Sequence, residues 1–170
     1  PDARWCIVRH LQCRAKGLTL DKPIQDFYPE AVAVCMGCGR NNAQGLHIQT
    51  FWDGEEGVAR FTPQPHHTGY PGLVYGGLLA SLIDCHSIGT ATAATYQAEG
   101  RAPGSEPQIG YVTGTLTVTY LHPTPIDAAL TLRSRVTQLT PRKAIVATSL
   151  YAGEQEVVRG EVIAVRLKQG

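Results

Sequence analysis

Between Gly76 and Gln97 the chain carries one formally charged residue, Asp84. Around it and His86 the run is built from Leu, Ile, Ala, Ser, Thr, Gly and Cys, with no Pro and no distinct polar face. A run that is apolar or small on every side reads as a helix buried all round. Its limits are set at about Tyr75 and Gln97. A lone carboxylate inside such a helix is costly unless something satisfies or uses it. The helix opens on Gly76-Gly77, whose backbone N–H groups are bare and approachable, with the positive end of the helix dipole behind them. Together the two features suggest an oxyanion site and a carboxylate that serves as base or nucleophile.

A helix buried on all sides needs a wrapper, and the flanking sequence supplies strands. His47–Trp52 and Val58–Phe61, separated by Asp53-Gly54, read as a hairpin. In the last third, Val112, Leu116, Val118 and Tyr120 alternate with Thr113, Thr115, Thr117 and Thr119, the period of a half-buried strand. Ala128–Leu139, Ala144–Tyr151 and Glu156–Leu167 read as further strands joined by short turns. The order is hairpin, long helix, then antiparallel strands. One sheet wrapped around one buried helix satisfies it, an α+β arrangement. Ahead of this, residues 1–34 read as an N-terminal extension, with Trp5, Val8, Leu11 and Ala15 at helical spacing. Residues 35–170 read as the domain itself.

Fifteen basic against fourteen acidic residues leave a net charge of +1. That balance gives no electrostatic case for nucleic acid or an anionic membrane as partner. No apolar run reaches membrane-spanning length, and no basic-then-apolar leader opens the sequence. Five cysteines, an odd number, read as reduced thiols rather than a disulfide framework. These features set the expectation of a cytoplasmic protein. Cys35-Met36-Gly37-Cys38 has metal-type spacing, but no second such pair follows. A zinc site would need Cys6, Cys13 or His47 as well, and the alternative is a plain loop. The expectation is no metal.

The segment His67-Thr68-Gly69-Tyr70-Pro71-Gly72-Leu73-Val74-Tyr75-Gly76-Gly77, continuing to Asp84, resembles the hotdog-fold thioesterases of the phenylacetate-pathway (PaaI-like) type. Their pattern runs H-x-G-x-P-G-x-x-H-G-G, then an acid seven residues on. Cys38-Gly39, Asn42 and Gly45-Leu46 match the lead-in many members carry, and Tyr120-Leu121-His122-Pro123 resembles the exit of their long central strand. Tyr75 departs from the pattern, which usually has His there. The resemblance implies a hotdog fold and hydrolysis of an acyl-CoA, aliphatic or aryl, to free acid and CoA, without metal or organic cofactor. It gives the Gly76 or Gly77 N–H the task of polarising the thioester carbonyl and makes Asp84 the base or nucleophile. It also implies a homodimer or homotetramer. Two other readings remain: a hotdog dehydratase or hydratase, and a non-catalytic acyl-thioester or ligand-binding protein.

Eight helical residues from Gly76 to Asp84 span a rise of roughly 12 Å, too far for both to serve one thioester. Two antiparallel helices across a two-fold would bring Gly76 of one chain to Asp84 of the other, so the spacing itself predicts a dimer. By resemblance, Thr113 orients the water or nucleophile. Strict alternation turns it away from the helix, and a bulge near Gly114 is needed to re-aim it. The resemblance also places His67 and Tyr75 at the substrate. Arg142 and Lys143 are either contacts for the CoA phosphates or a solvated turn. Cys85 and His86 follow Asp84 directly, but helical neighbours point to different faces, which argues against a Cys-His-Asp triad.

Overall fold

The computed structural model describes residues 18–168. Six strands form one antiparallel sheet: β1 (Phe51–Trp52), β2 (Gly57–Phe61), β3 (Tyr111–Tyr120), β4 (Leu130–Leu139), β5 (Lys143–Ala152) and β6 (Gln155–Arg166). Their order across the sheet is β1-β2-β4-β5-β6-β3, so β1 and β3 are the edges. Among the described residues a single long helix, α1 (Gly76–Ala98), lies against one face and touches every strand. This is the hotdog architecture that the sequence led us to expect.

The helix is buried because no side of it can face water at length. Leu82, Ile83, Ala91 and Ala93 are fully enclosed. Truncating one such leucine costs about 2–5 kcal/mol in a packed core. The sheet comes close enough at Gly160 that a Cβ there would lie 2.3 Å from Ile83 Cγ2; any side chain would push the helix away. Buried hydroxyls are satisfied in a chain. Ser87 donates to Ile83 O at 2.7 Å, Thr148 lies 2.7 Å from Ser87 Oγ, and Ser134 lies 2.6 Å from Thr148. Since Ser87 gives its one hydrogen to a carbonyl, Thr148 donates to Ser87 and Ser134 to Thr148.

The expected strands are present, with one shortened. His47–Thr50 does not pair as a strand: His47 has φ 51°, and the Thr50 carbonyl is taken by Ile24 N–H at 2.9 Å. Residues just ahead of Cys35 enter the core, with Ile24 fully buried and Gln25 bonded to Thr50. The helix expected around Trp5–Ala15 lies outside the described residues. No helix among the described residues is long and apolar enough to cross a membrane.

Candidate active site

Strand β3 runs antiparallel to α1 and meets it at three points. The Tyr111 hydroxyl lies 2.9 Å from Thr95 Oγ1, Thr113 donates a short hydrogen bond to Asp84 Oδ1, and the Tyr120 hydroxyl donates to Gly76 O at 2.8 Å. The pairing of β3 with β6 slips between Thr113 and Thr115. That bulge at Gly114 changes which residues face the helix. Before it, the odd positions Tyr111 and Thr113 point inward; after it, Val118 and Tyr120 do. Val112 consequently stands out at 48 % exposure. The uninterrupted alternation read from the sequence therefore fails for Val112, because the extra residue shifts the phase of everything before it.

Asp84 is half-buried. Ser81, Ser87 and Thr90, near it on the helix, give their hydroxyl hydrogens to the carbonyls of Gly77, Ile83 and His86. None of them caps Asp84. Thr113 alone does among the described residues, and it engages only Oδ1, leaving Oδ2 open.

At the other end of the site, the N–H groups of Gly76 and Gly77 have no acceptor among the described residues, and the helix has no side-chain cap. Two aromatic rings flank this terminus. A Cβ on Gly77 would lie 2.4 Å from Tyr75 Cε1, so the Tyr75 ring crosses directly over that residue. A Cβ on Gly76 would meet Tyr120 at an ordinary 3.4 Å. Tyr75 is itself 59 % exposed. Beside the terminus lies an open groove of about 270 Å³, lined by Val74, Gly76, Leu79, Tyr120 and Thr124 among others. Thr124 Oγ1 is buried and unpartnered.

The remaining candidates separate. His67 accepts a hydrogen bond from Gln64 N at Nδ1 (2.9 Å) and its carbonyl accepts from Tyr75 N at 2.8 Å. It therefore ties the loop to the residue ahead of the helix. Burial, with His66 beside it, holds its imidazole below the ordinary range. Arg142 and Lys143 are exposed at the β4–β5 turn. Lys143 pairs with Val165, which pairs with Val112. It thus sits two strand spacings, roughly 10 Å, from the end of β3 that carries Thr113.

Asp84, Cys85 and His86 point three ways, as helical geometry requires. Asp84 meets Thr113. His86 is fully buried, with Nε2 at 3.2 Å from Gly57 O and Nδ1 at 2.9 Å from Thr50 Oγ1. The carbonyl can only accept, so Nε2 carries the proton and Nδ1 accepts from Thr50. Burial pushes this imidazole down to about 3. Cys85 turns instead to Cys35, 3.9 Å away between sulfurs, and Cys38 joins them. Cys85 beside it holds the Cys38 thiol down to about 7 despite its burial, and the same pairing pushes Cys85 up. Sequence spacing flagged Cys35 and Cys38 but not their third neighbour, which lies 47 residues beyond Cys38 on a different element. Tyr120 is marked in the sequence by the alternation and by the strand-exit resemblance, neither of which points to its contact with Gly76.

The geometry matches known proteins. The family description "Thioesterase superfamily" fits residues 71–159. A thioesterase superfamily protein from Shewanella loihica is 39 % identical, with 71 % of this chain and 91 % of that one covered at a TM-score of 0.57. The Escherichia coli PaaI protein, from the phenylacetic acid degradation operon, shares the fold at 16 % identity. Its TM-score is 0.60, with 72 % of this chain and 81 % of that one covered. Acyl-coenzyme A thioesterase THEM4 of Xenopus laevis is 27 % identical over 65 % of this chain and 44 % of its own length. The chain thus spans less than half of that curated relative. Motif, sheet, buried helix and matches agree: the chain belongs to the thioesterase superfamily.

Proposed function

We propose that this chain hydrolyses acyl-CoA thioesters at a site shared between two copies of itself. The observation that carries the reading is the Thr113–Asp84 hydrogen bond, which fixes one carboxylate oxygen and leaves the other for water. Asp84 Oδ2 takes a proton from that water as its oxygen bonds to the thioester carbon. The resulting oxyanion is held by the bare N–H groups at Gly76 and Gly77 of the other copy. Collapse breaks the carbon–sulfur bond, and the CoA thiolate leaves with the proton that Asp84 had taken. The name of the THEM4 relative supports CoA as the carrier.

Distance and an open face support the shared site. Seven residues separate Gly77 and Asp84, a rise of roughly 10 Å on one helix. Gly77, Ala80, Ser81, Asp84 and Ile88, at helical spacing, form the half-exposed stripe of an otherwise buried helix. Small residues there leave room for a second helix. Edge strand β3 beside it exposes Val112 and Leu116, and its outer backbone has no strand partner among the described residues, which suits strand-to-strand pairing with another copy.

A second reading has one observation in its favour. Tyr75 lies across Gly77 where a substrate carbonyl would approach, as it would in an acyl-thioester binder without catalysis. A dehydratase would pair a His with the acid, but His86 faces Thr50 and Gly57, and His67 holds Gln64.

A panel of acyl-CoAs with a thiol-trapping dye tests the proposal. Turnover by the wild type and its loss in Asp84→Asn are expected. Turnover that Asp84→Asn retains rejects the mechanism, and tight CoA-ester binding without turnover selects the second reading.

A further inference from the structure

The ligand atoms of Cys35, Cys38 and Cys85 all lie within 4.8 Å of one another. The Cys35 and Cys85 sulfurs are 3.9 Å apart. Thiolates sharing one tetrahedral zinc at ~2.3 Å stand roughly 3.8 Å from each other, whereas disulfide sulfurs are bonded at about 2.05 Å. The Cys35–Cys85 separation matches that of two ligands of one ion, and Cys38 lies within 4.8 Å of both.

The loop is built to hold that spacing. Gly39 N–H bonds to Cys35 O at 2.8 Å, Leu46 N–H to Met36 O at 2.8 Å, and Ile48 N–H to Gly37 O at 3.0 Å. A Cβ on Gly37 would lie 2.3 Å from Cys85 Sγ, so only glycine lets the loop sit down on the helix thiol. An independent observation comes from Tyr28. Its hydroxyl is buried and completes no hydrogen bond, yet it lies within electrostatic reach of all three cysteines. Thr92 lies beside it; its hydroxyl hydrogen goes to Ile88 O at 2.9 Å, which leaves its oxygen as one nearby acceptor for the phenol. A buried phenol that completes no hydrogen bond is costly, and a thiolate would be a stronger acceptor for it than the neutral Thr92 oxygen.

We propose that Cys35, Cys38 and Cys85 form a three-thiolate site for a thiophilic divalent cation of the zinc class, with the Tyr28 hydroxyl donating to the cluster. Cys35 is exposed, so the fourth position opens to solvent on its side and takes water. Binding replaces three thiol protons, which leave to solvent, by one cation. The bound ion ties the loop ahead of β1 to the middle of α1, one residue from Asp84.

The test uses the full chain, reduced and stripped of metal by a chelator, titrated with Co(II) in the absence of air. One equivalent should produce thiolate-to-cobalt charge-transfer absorption and the visible bands of a tetrahedral ion, both abolished by Zn(II). Zinc should also raise the thermal midpoint by linkage. Cys35→Ser, Cys38→Ser and Cys85→Ser should each weaken binding at least about ten-fold. Tyr28→Phe should weaken it less and keep the tetrahedral spectrum. A Cys6→Ser/Cys13→Ser double variant should bind as the wild type does. Cys35 is at the surface, so its variant stays informative if the buried Cys85→Ser does not fold. An octahedral spectrum, wild-type affinity in Cys35→Ser, or loss of the bands in the Cys6/Cys13 variant overturns the site. None of these readouts depends on thioester hydrolysis.

Discussion

Thr113 on strand β3 donates its hydroxyl hydrogen to Asp84 in the middle of α1. If this bond holds the carboxylate for attack, its loss acts on turnover more than on binding. Thr113→Val should lower kcat by about ten-fold or more with little change in KM, and Thr113→Ser should keep most of the activity. Steady-state kinetics on the best acyl-CoA, beside a thermal melt, measures this. An unchanged kcat in Thr113→Val would show that the bond only satisfies a half-buried carboxylate.

A shared site makes a quantitative prediction for mixed dimers. Asp84→Asn and a Gly77 variant, each inactive alone, should regain activity when refolded together, because one site of each heterodimer carries wild-type Gly77 and wild-type Asp84. Random pairing gives roughly a quarter of wild-type activity. No recovery, with heterodimers verified by tagged pull-down, would place both groups in one chain.

Gly76 and Gly77 should respond differently to the same added methyl. At Gly76 the methyl meets Tyr120 at 3.4 Å, an ordinary contact. At Gly77 it must displace the Tyr75 ring, which stands 2.4 Å from the new Cβ. Both variants should fold, since alanine favours a helix over glycine by about 1 kcal/mol. Gly77→Ala should nevertheless lose at least about ten-fold in kcat/KM by crowding the proposed oxyanion donor, while Gly76→Ala should stay within a few-fold. Equal losses would argue against a special role for Gly77.

His86 predicts how stability depends on pH. Its folded-state value lies near 3, well below the ordinary histidine range. Below about 6.5 the unfolded chain takes up a proton that the folded chain refuses. Its contribution is fully present above that value and falls on acidification by about 1.4 kcal/mol per unit until the folded value is reached. Denaturant unfolding at pH 7, 6 and 5 should show the decline. A His86→Asn variant should start less stable but show a flatter profile; an equal slope would assign the loss to other groups.

Much of the fold was legible because hydrophobic pattern carries it. The burial of α1 was written in its composition, and the strands in their β-branched alternation. Period-two reading fails for Val112, where one residue breaks phase: the bulge near Gly114, invoked to turn Thr113 toward the helix, is present in the β6 register and turns Val112 outward. His47–Thr50 reads as strand by side-chain type, yet the positive φ of His47 and the bond from Ile24 take it out of the sheet. At the site, Asp84 stood out as a lone charge, and its link to Thr113 required a bulge that the sequence could only suggest. The meeting of Cys85 with Cys35 and Cys38 could not be read from local spacing, because chain folding alone brings the loop onto the helix.

The divergent aims of Asp84, Cys85 and His86 leave α1 no tolerance in its rotational phase. Deleting or inserting one residue just ahead of Asp84 turns everything before it by about 100° relative to these three. If their partners kept them in place, the Gly76-Gly77 turn would swing off Tyr120. If the turn stayed put, the carboxylate, the thiol and the imidazole would all lose their partners together. Relatives that share these three contacts are therefore expected to vary in loop length on either side of the helix, but to keep the count from Gly76 to His86 unchanged.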